Sequence, residues 1–459
     1  MKIFPPTGLE YVATSAKEAA EKVTLLDLRT ETEFSNIDKL IGFISREIDI
    51  VCVGIGWNRE LKDIYQMLNS IPKGIPLVVG GYTATEKVDE IFDSCSNVNI
   101  IVRGEGEETI KDILKEIPLD KILGISYRLN GKVAHNKNRS LTDLGSILSP
   151  DRSLRRNSYR LALNGANIPN LTFDTVLSAR GCPYNCKFCT FALNPLGQKR
   201  NYAARSPKSV VNEIETIDAN VVLFSDENFG IDAKRAEQIC DLIIQRQIKK
   251  RFVAQARIDI ARYPALLDKM AKAGFKALLV GIESPHDRIL ALLNKGFDSA
   301  TIRKSFEVLK KYPIFYHGYF IYGNIGETED EMLYIAKFAK EIKVDSITFQ
   351  KLRIEKFSPL KEIVDATPGY HIASNGMLYS DKYPLSELKK IGRKIKFSFY
   401  TPWTFISLLK RSLEIGFFTP RDMISLIAAL PRVISAVIAR DIQKRRLRDT
   451  FTRLFIRNN

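Results

Sequence analysis

Short Val/Ile-rich runs alternate with longer amphipathic ones along most of this chain, in two separate series. Strands punctuated by helices pair in parallel only when each crossover packs back on the sheet, so the chain reads as α/β with covered sheets. In the first series the strand candidates are VTLLDL (23–28), IDIVCVGI (48–55), IPLVVGG (75–81) and NIIVRGEGE (99–107), with helical stretches at 58–71 and 107–117. A hairpin, ILGISYRLNGKVAHN (122–136), follows with Asn130 and Gly131 as its turn. The second series holds TVLSA (175–179), VVLFS (221–225), FVAQA (252–256), ALLVGIE (277–283), FYHGYFIYG (315–323) and SITFQ (346–350), separated by helical periodicity. Six β/α units fall short of the eight that close a full barrel. The expected organisation is a Rossmann-like domain over 1–148, a polar Arg-rich linker over 149–171, a partial (β/α)6 barrel over 172–355 and a helical, basic region over 356–459.

The length of 459 residues suits two to four domains. Of six cysteines, Cys182, Cys186 and Cys189 cluster, while Cys52, Cys95 and Cys240 are scattered. That is not the even spread of a disulfide framework, and it implies a reducing, cytoplasmic compartment. The start, MKIFPPTGLEYVA, lacks the basic run followed by an apolar run of a signal peptide.

The cluster lies in RGCPYNCKFCTF (180–191) with Cys-x3-Cys-x2-Cys spacing. A structural zinc site wants four ligands, and an ordinary ferredoxin cluster wants four cysteines. Here there are three, and no histidine is nearer in sequence than His135. Three thiolates on a cubane cluster leave one iron open to bind substrate, much as catalytic zinc keeps an open position. On residues alone a three-cysteine zinc site or a chance cluster remains the alternative. The cysteines follow the first strand of the second series, at the end of a β/α barrel where chemistry occurs.

With Phe188 just ahead of the last cysteine, this segment resembles the radical S-adenosylmethionine (SAM) superfamily. Other segments resemble it in order: NYAARSPKSVVNEI (201–214), FSDENF (224–229), ARID (256–259), VGIESPHDRILALLNKG (280–296) and GYFIYGNIGETEDEM (318–332). The resemblance covers residues 172–353. It implies a [4Fe-4S] cluster on Cys182, Cys186 and Cys189, with SAM on the open iron. It implies a reductant such as ferredoxin or flavodoxin, whose electron releases a 5′-deoxyadenosyl radical that takes hydrogen from unactivated carbon. Phe188, Asp226, Arg257, Glu283 and Ser284 become candidate SAM contacts by the same analogy. A helix cap or salt-bridge partner is the alternative for the carboxylates. GNIGET departs from the family's Gly-x-Pro-Gly-Glu-Thr, with Ile325 in place of proline.

PPTGLEYVA, DIVCVGIGW, PLVVGGYTAT and VRGEGEETI together resemble the cobalamin-binding domain that precedes many radical SAM modules. Anaerobic magnesium-protoporphyrin ester cyclases and the enzymes that modify hopanoids and archaeal tetraether lipids are of this kind. Gly80 and Gly81 would admit a corrin, since glycine has no Cβ to block it. GIGWNREL stands where an Asp-x-His-x-x-Gly would place a cobalt-ligating histidine, so a domain kept as scaffold is the competing reading. Trp57 would pack on a corrin face or fill a gap at the sheet edge.

The net charge of +16 is lopsided: from Lys389 onward sixteen Lys/Arg face four Asp/Glu, leaving +12 in the tail. Within 423–439, Met423, Ile427, Leu430, Val433, Ile434, Val437 and Ile438 form one helical stripe, with Pro431 expected to kink it. Arg432 interrupts the apolar run, which is short of the roughly 20 residues of a span. An amphipathic helix flanked by cations suits the plane of an anionic membrane. The bland alternative is a stripe packed on the protein itself. Nucleic acid is the rival anion, but no added RNA-binding domain is visible. The resulting expectation is a peripheral enzyme on the cytoplasmic membrane face. It would act on a hydrophobic substrate, a membrane lipid first, by ring closure as in tetraether lipids or by methylation. The competing classes are a cobalamin-dependent methylase of RNA, peptide or tetrapyrrole, and a non-enzymatic iron–sulfur scaffold or sensor.

Overall fold

The computed structural model describes residues 4–56, 61–163, 166–190, 193–355, 357–428 and 431. The front sheet runs β1 (Val51–Gly54), β2 (Leu77–Gly80), β3 (Ile100–Val102), β4 (Ile125–Leu129) and β5 (Lys132–His135) in that spatial order. β1 to β3 are parallel, while β4 and β5 add antiparallel. The β4–β5 turn has φ of 50° at Asn130 and 77° at Gly131, the left-handed pair that a two-residue hairpin uses.

Residues 23–28 do not form the expected strand: only Leu25 makes a bridge, to Arg155. The reason lies at Asp27, whose carboxylate is taken by Arg29 and by the Tyr159 hydroxyl at 2.7 Å. The segment therefore lies along the linker instead of entering the sheet.

The 149–160 stretch is likewise no solvated linker. Arg155 donates to Glu10 at 2.5 and 2.8 Å and to Asp174 at 2.7 and 3.0 Å. Arg152 donates to Glu213 at 2.6 Å. Glu10 belongs to the front domain's Thr7–Ala16 helix, whereas Asp174 and Glu213 belong to the barrel. The arginines thus clasp the two domains through carboxylates buried by their partners.

Beyond the clasp come β6 (Arg160–Leu163), β7 (Ala166–Val176) and a small pair, β8 (Ala179–Arg180) with β9 (Ala203–Ala204). β10 (Val221–Phe224), β11 (Arg251–Arg257), β12 (Phe275–Glu283), β13 (Phe315–Tyr322) and β14 (Ser346–Lys351) complete the barrel. Its sheet order is β14-β13-β12-β11-β10-β7-β6, six parallel strands with antiparallel β6 at the edge. The first barrel strand starts at 166, nine residues before its expected start. Its leading ANIPN lacks Val/Ile density, and pairing with β6 supplies what local propensity does not.

Alternation along each strand divides the side chains. Phe252, Ala254 and Ala256 of β11 enter the core beneath the outer helices, with Phe224, Phe275 and Phe306. Val253 joins Leu171, Phe173, Val221, Leu223 and Ala277 in a separate apolar cluster on the inner face.

The C-terminal region is helical over Leu385–Phe399, Pro402–Glu414 and 420–428. It also contains a small hairpin, β15 (Tyr370–Ile372) with β16 (Leu378–Ser380), whose three-residue strands are too short to show a period. Trp57, Arg432 and the stripe positions Leu430, Val433, Ile434, Val437 and Ile438 lie outside the described residues.

Candidate functional site

The three cysteines occupy the loop that leaves β8, at the C-terminal end of the barrel strands. Gly181, with φ of 90°, opens that loop. A Cβ there would stand 2.5 Å from the Arg200 carbonyl oxygen, so only glycine fits. Glu227 accepts from the Gly181 amide at 3.0 Å, and burial pushes its carboxyl up. Farther along, the Lys187 amide donates to the Leu293 carbonyl at 3.0 Å, and the Ser358 hydroxyl donates to the Lys187 carbonyl at 2.7 Å. Cys182 and Cys186 are half-buried and Cys189 is exposed.

Arg257 is brought directly to the cysteines. Its Nη1 donates to Cys186 Sγ at 3.4 Å, its Nε to Asp259 at 2.9 Å and its Nη2 to the Lys295 carbonyl at 2.5 Å. The guanidinium stacks 3.7 Å from the Tyr184 ring centroid. Glu283 ends β12 with φ of 69°, a strained value for a residue with a Cβ. The buried Lys295 holds it, donating at 3.1 Å. Phe188 lies beside the same ammonium, its ring centroid 5.7 Å from Nζ. Lys295 was missed in sequence because a lysine in LLNKG reads as a solvated helix end.

Asp226 and Ser284 each hydrogen-bond within the protein. Asp226 is fully buried, and both its oxygens accept from Ser178, through the amide at 2.7 Å and through the hydroxyl. It braces the β7–β8 connection. The Ser284 hydroxyl accepts from the His286 amide at 3.2 Å within its own turn.

The front domain's loops meet this end of the barrel. Glu107 accepts from Arg180 at 2.5 Å, and Glu105 accepts from Arg200 at 2.8 Å. The Tyr82 hydroxyl, pushed up to about 12 by burial, hydrogen-bonds Thr190, the residue after Cys189. Gly81, with φ of 103°, sits where a Cβ would lie 2.6 Å from the Ile55 carbonyl oxygen. The chain's own crossing therefore requires that glycine. A Cβ on Gly80 would meet only Val102 at 3.5 Å.

Residues 176–339 match the model of the radical SAM superfamily, and residues 2–114 match that of the B12 binding domain. Residues 176–339 are thus a radical SAM domain, with a B12-binding domain in front of it. This radical SAM enzyme is 28% identical over 432 residues to an uncharacterized methyltransferase of Pyrococcus horikoshii, covering 86% of this chain and 88% of the relative. It is 27% identical to an anaerobic magnesium-protoporphyrin IX monomethyl ester cyclase of Cereibacter sphaeroides, over 62% of this chain but 47% of the cyclase. With the hopanoid C-3 methylase of Methylococcus capsulatus the identity is 24%, over 66% and 58%. The fold is that of the methyltransferase TsrM from Kitasatospora setae, with a TM-score of 0.65 at 16% identity over 80% of this chain and 74% of that one. The enzyme OxsB gives 0.63 at 17% identity, over 94% and 73%.

The cofactors of this radical SAM enzyme are a [4Fe-4S] cluster and SAM, with cobalamin the cofactor of the front domain's kind. The residues present fit the first two. Three soft thiols without a fourth suit an open cluster, and Arg257 sets a cation against Cys186. Among the described residues no three His, Cys, Asp or Glu side chains converge as a single metal ion requires. On the front domain the loops after β2 and β3 reach the cysteine segment through Tyr82, Glu105 and Glu107. Nor is any described helix long and apolar enough to cross a membrane.

Proposed function

We propose that this radical SAM enzyme forms a carbon–carbon bond at an unactivated carbon of a hydrophobic substrate, a membrane lipid, with methyl transfer as the form of the reaction. One observation carries the reading. The ion pairs from Glu105 and Glu107 to Arg180 and Arg200 hold the B12-binding domain's loop ends against the cysteine loop. That contact supports two cofactors acting on one substrate, and a scaffold or sensor has no need of it. When bound, the cofactors supply an adenosyl radical for a carbon that offers no acidic proton, and a methyl group to place there. The chain's own residues orient and enclose. Arg257 and Lys295 offer positive charge to an anionic ligand, and Tyr184 and Phe188 wall the cleft. A ferredoxin or flavodoxin is the class of reductant that suits an iron–sulfur cluster. The hopanoid methylase among the relatives supports a hydrophobic substrate, and the cyclases support ring closure as the second form of the same chemistry.

The test is mass spectrometry of total lipid from the native host with and without this gene. A core lipid that gains one CH2 only when the gene is present supports methyl transfer, and a loss of two hydrogens makes the reaction ring closure or desaturation. An unchanged lipid profile overturns the lipid reading. Failure of reconstituted protein to make 5′-deoxyadenosine from SAM and dithionite overturns the catalytic reading.

A further inference from the structure

Among the described residues the Pro402–Glu414 helix is attached to the barrel through its Arg411 side. On that side Arg411 donates to the carbonyls of Tyr312 and Ile314 at 3.3 and 3.4 Å, and Ser412 is buried. On the other side Trp403, Ile406, Lys410 and Leu413 recur three, four and three residues apart, which places them on one helical face. Trp403 is 78% exposed and Ile406 54%, with Phe405 exposed beside them. The following helical stretch, 420–428, adds Ile424 at 68% and Ile427 at 59%. So many large apolar side chains on neighbouring helices are not the scattered singles of an ordinary surface.

Next to the apolar face lies a cleft lined by Lys340, Lys343, Asp345, Trp403, Thr404 and Ser407. Lys340 donates there to the Ser398 carbonyl and Thr404 to the Phe399 carbonyl, both at 2.7 Å, and the two ammonium groups outnumber the one carboxylate. Around the face the chain is strongly cationic. In sequence, Lys389, Lys390, Arg393, Lys394 and Lys396 precede it, and the chain from Lys389 onward carries +12.

We propose that the exposed face of the Pro402–Glu414 helix, with Ile424 and Ile427, docks on an anionic lipid bilayer. Trp403, Phe405 and Ile406 enter the acyl boundary, and Lys340, Lys343 and Lys410 meet the headgroups. Charge complementarity selects this occupant: a second copy of the chain would bring an equally cationic surface against it. Exposed apolar side chains on one helical face, with lysines beside them, are the pattern of a helix lying in an interface plane. This surface is separate from the cofactor site, so it stands or falls independently of the lipid's being the substrate.

The experiment uses the full chain with vesicles of phosphatidylcholine alone or mixed with phosphatidylglycerol. Trp403 and Trp57 are the only tryptophans, so a Trp57→Phe background makes emission report on Trp403. The expected result is sedimentation with mixed vesicles, weakened by salt, with Trp403 emission moving to the blue. Trp403→Ser and Ile406→Ser should each weaken partition roughly tenfold, while 5′-deoxyadenosine formation in vesicle-free buffer is retained. Unmoved Trp403 emission, or partition that the double variant leaves unchanged, overturns the proposal. Concentration-dependent dimerisation abolished by Trp403→Ser, without vesicle binding, overturns it in favour of a second copy as occupant.

Discussion

The two ends of the barrel are closed by different physics. Around the cysteines, Arg180, Arg200, Arg257 and Lys295 meet Glu105, Glu107, Asp259 and Glu283. At the N-terminal ends of the strands, Phe417, Phe418 and Leu426 press on the inner apolar cluster of Leu171, Phe173, Val221 and Leu223. Arg251 pins that plug, donating to Asp422 at 2.6 Å and to the Phe417 carbonyl at 2.8 Å. Burial of hydrocarbon is non-directional and stabilises whatever orientation packs. Buried ion pairs pay heavy desolvation and contribute little net stability, but they set orientation. The cysteine end is thus organised for alignment and the far end for cohesion. β12, nine residues long, rises about 26 Å between them. A protein docked by its far end holds its cysteines away from the bilayer, so a lipid substrate must leave the bilayer to reach them.

The contrast is broken most severely at the thiols. Cys186→Ala should reduce 5′-deoxyadenosine to background and lower bound iron, while circular dichroism stays native because the residue lies in a half-buried loop. Retained turnover would remove the cysteine end from the chemistry. Next comes the buried ionic clasp. Glu213 accepts from Arg152 and Arg205 with its own side chain fully buried, so Glu213→Ala should cost about 3–5 kcal/mol in urea unfolding. A loss near zero would mean the arginines find other partners.

The third effect depends on pH. Burial raises Glu327, in the turn after β13, to about 7 from 4.5. The folded state then holds a proton that the unfolded chain has lost. Its stabilisation is present below pH 4.5 and is lost as pH rises to 7. Glu327→Gln should therefore flatten that slope and stabilise the protein by up to about 3 kcal/mol above pH 7. Asp345, at the opposite end, is raised to about 6 and should act in the same direction over a lower window. Smallest is the plug: Phe417 is only half-buried, so Phe417→Ala should cost about 1–2 kcal/mol. That loss should be insensitive to salt, and a marked salt dependence would show that Arg251 and Asp422 bear the closure instead.

Which parts of this picture were readable in the sequence follows the range of the interactions. The strands of the barrel, the hairpin turn at Asn130 and Gly131, and the helices at Ala233–Gln245 and Pro264–Ala273 rest on local periodicity and turn chemistry. The Cys-x3-Cys-x2-Cys spacing is local as well, and it sufficed for the family. The early start of β7 depends on pairing with its neighbour β6, and the failure of 23–28 to become a strand and the Arg155–Glu10 clasp depend on partners well over a hundred residues away. No spacing rule reaches that far.

By itself, then, the sequence determined the α/β alternation, the three thiols on a strand-end loop, the B12-binding front and the cationic tail, because each is written in neighbouring residues. Only the tertiary structure decided that Asp226 braces a loop, that Lys295 is buried against Glu283, and that Trp403 faces outward. Those outcomes depend on which surfaces remain once the sheet, its helices and the clasp have buried all they can.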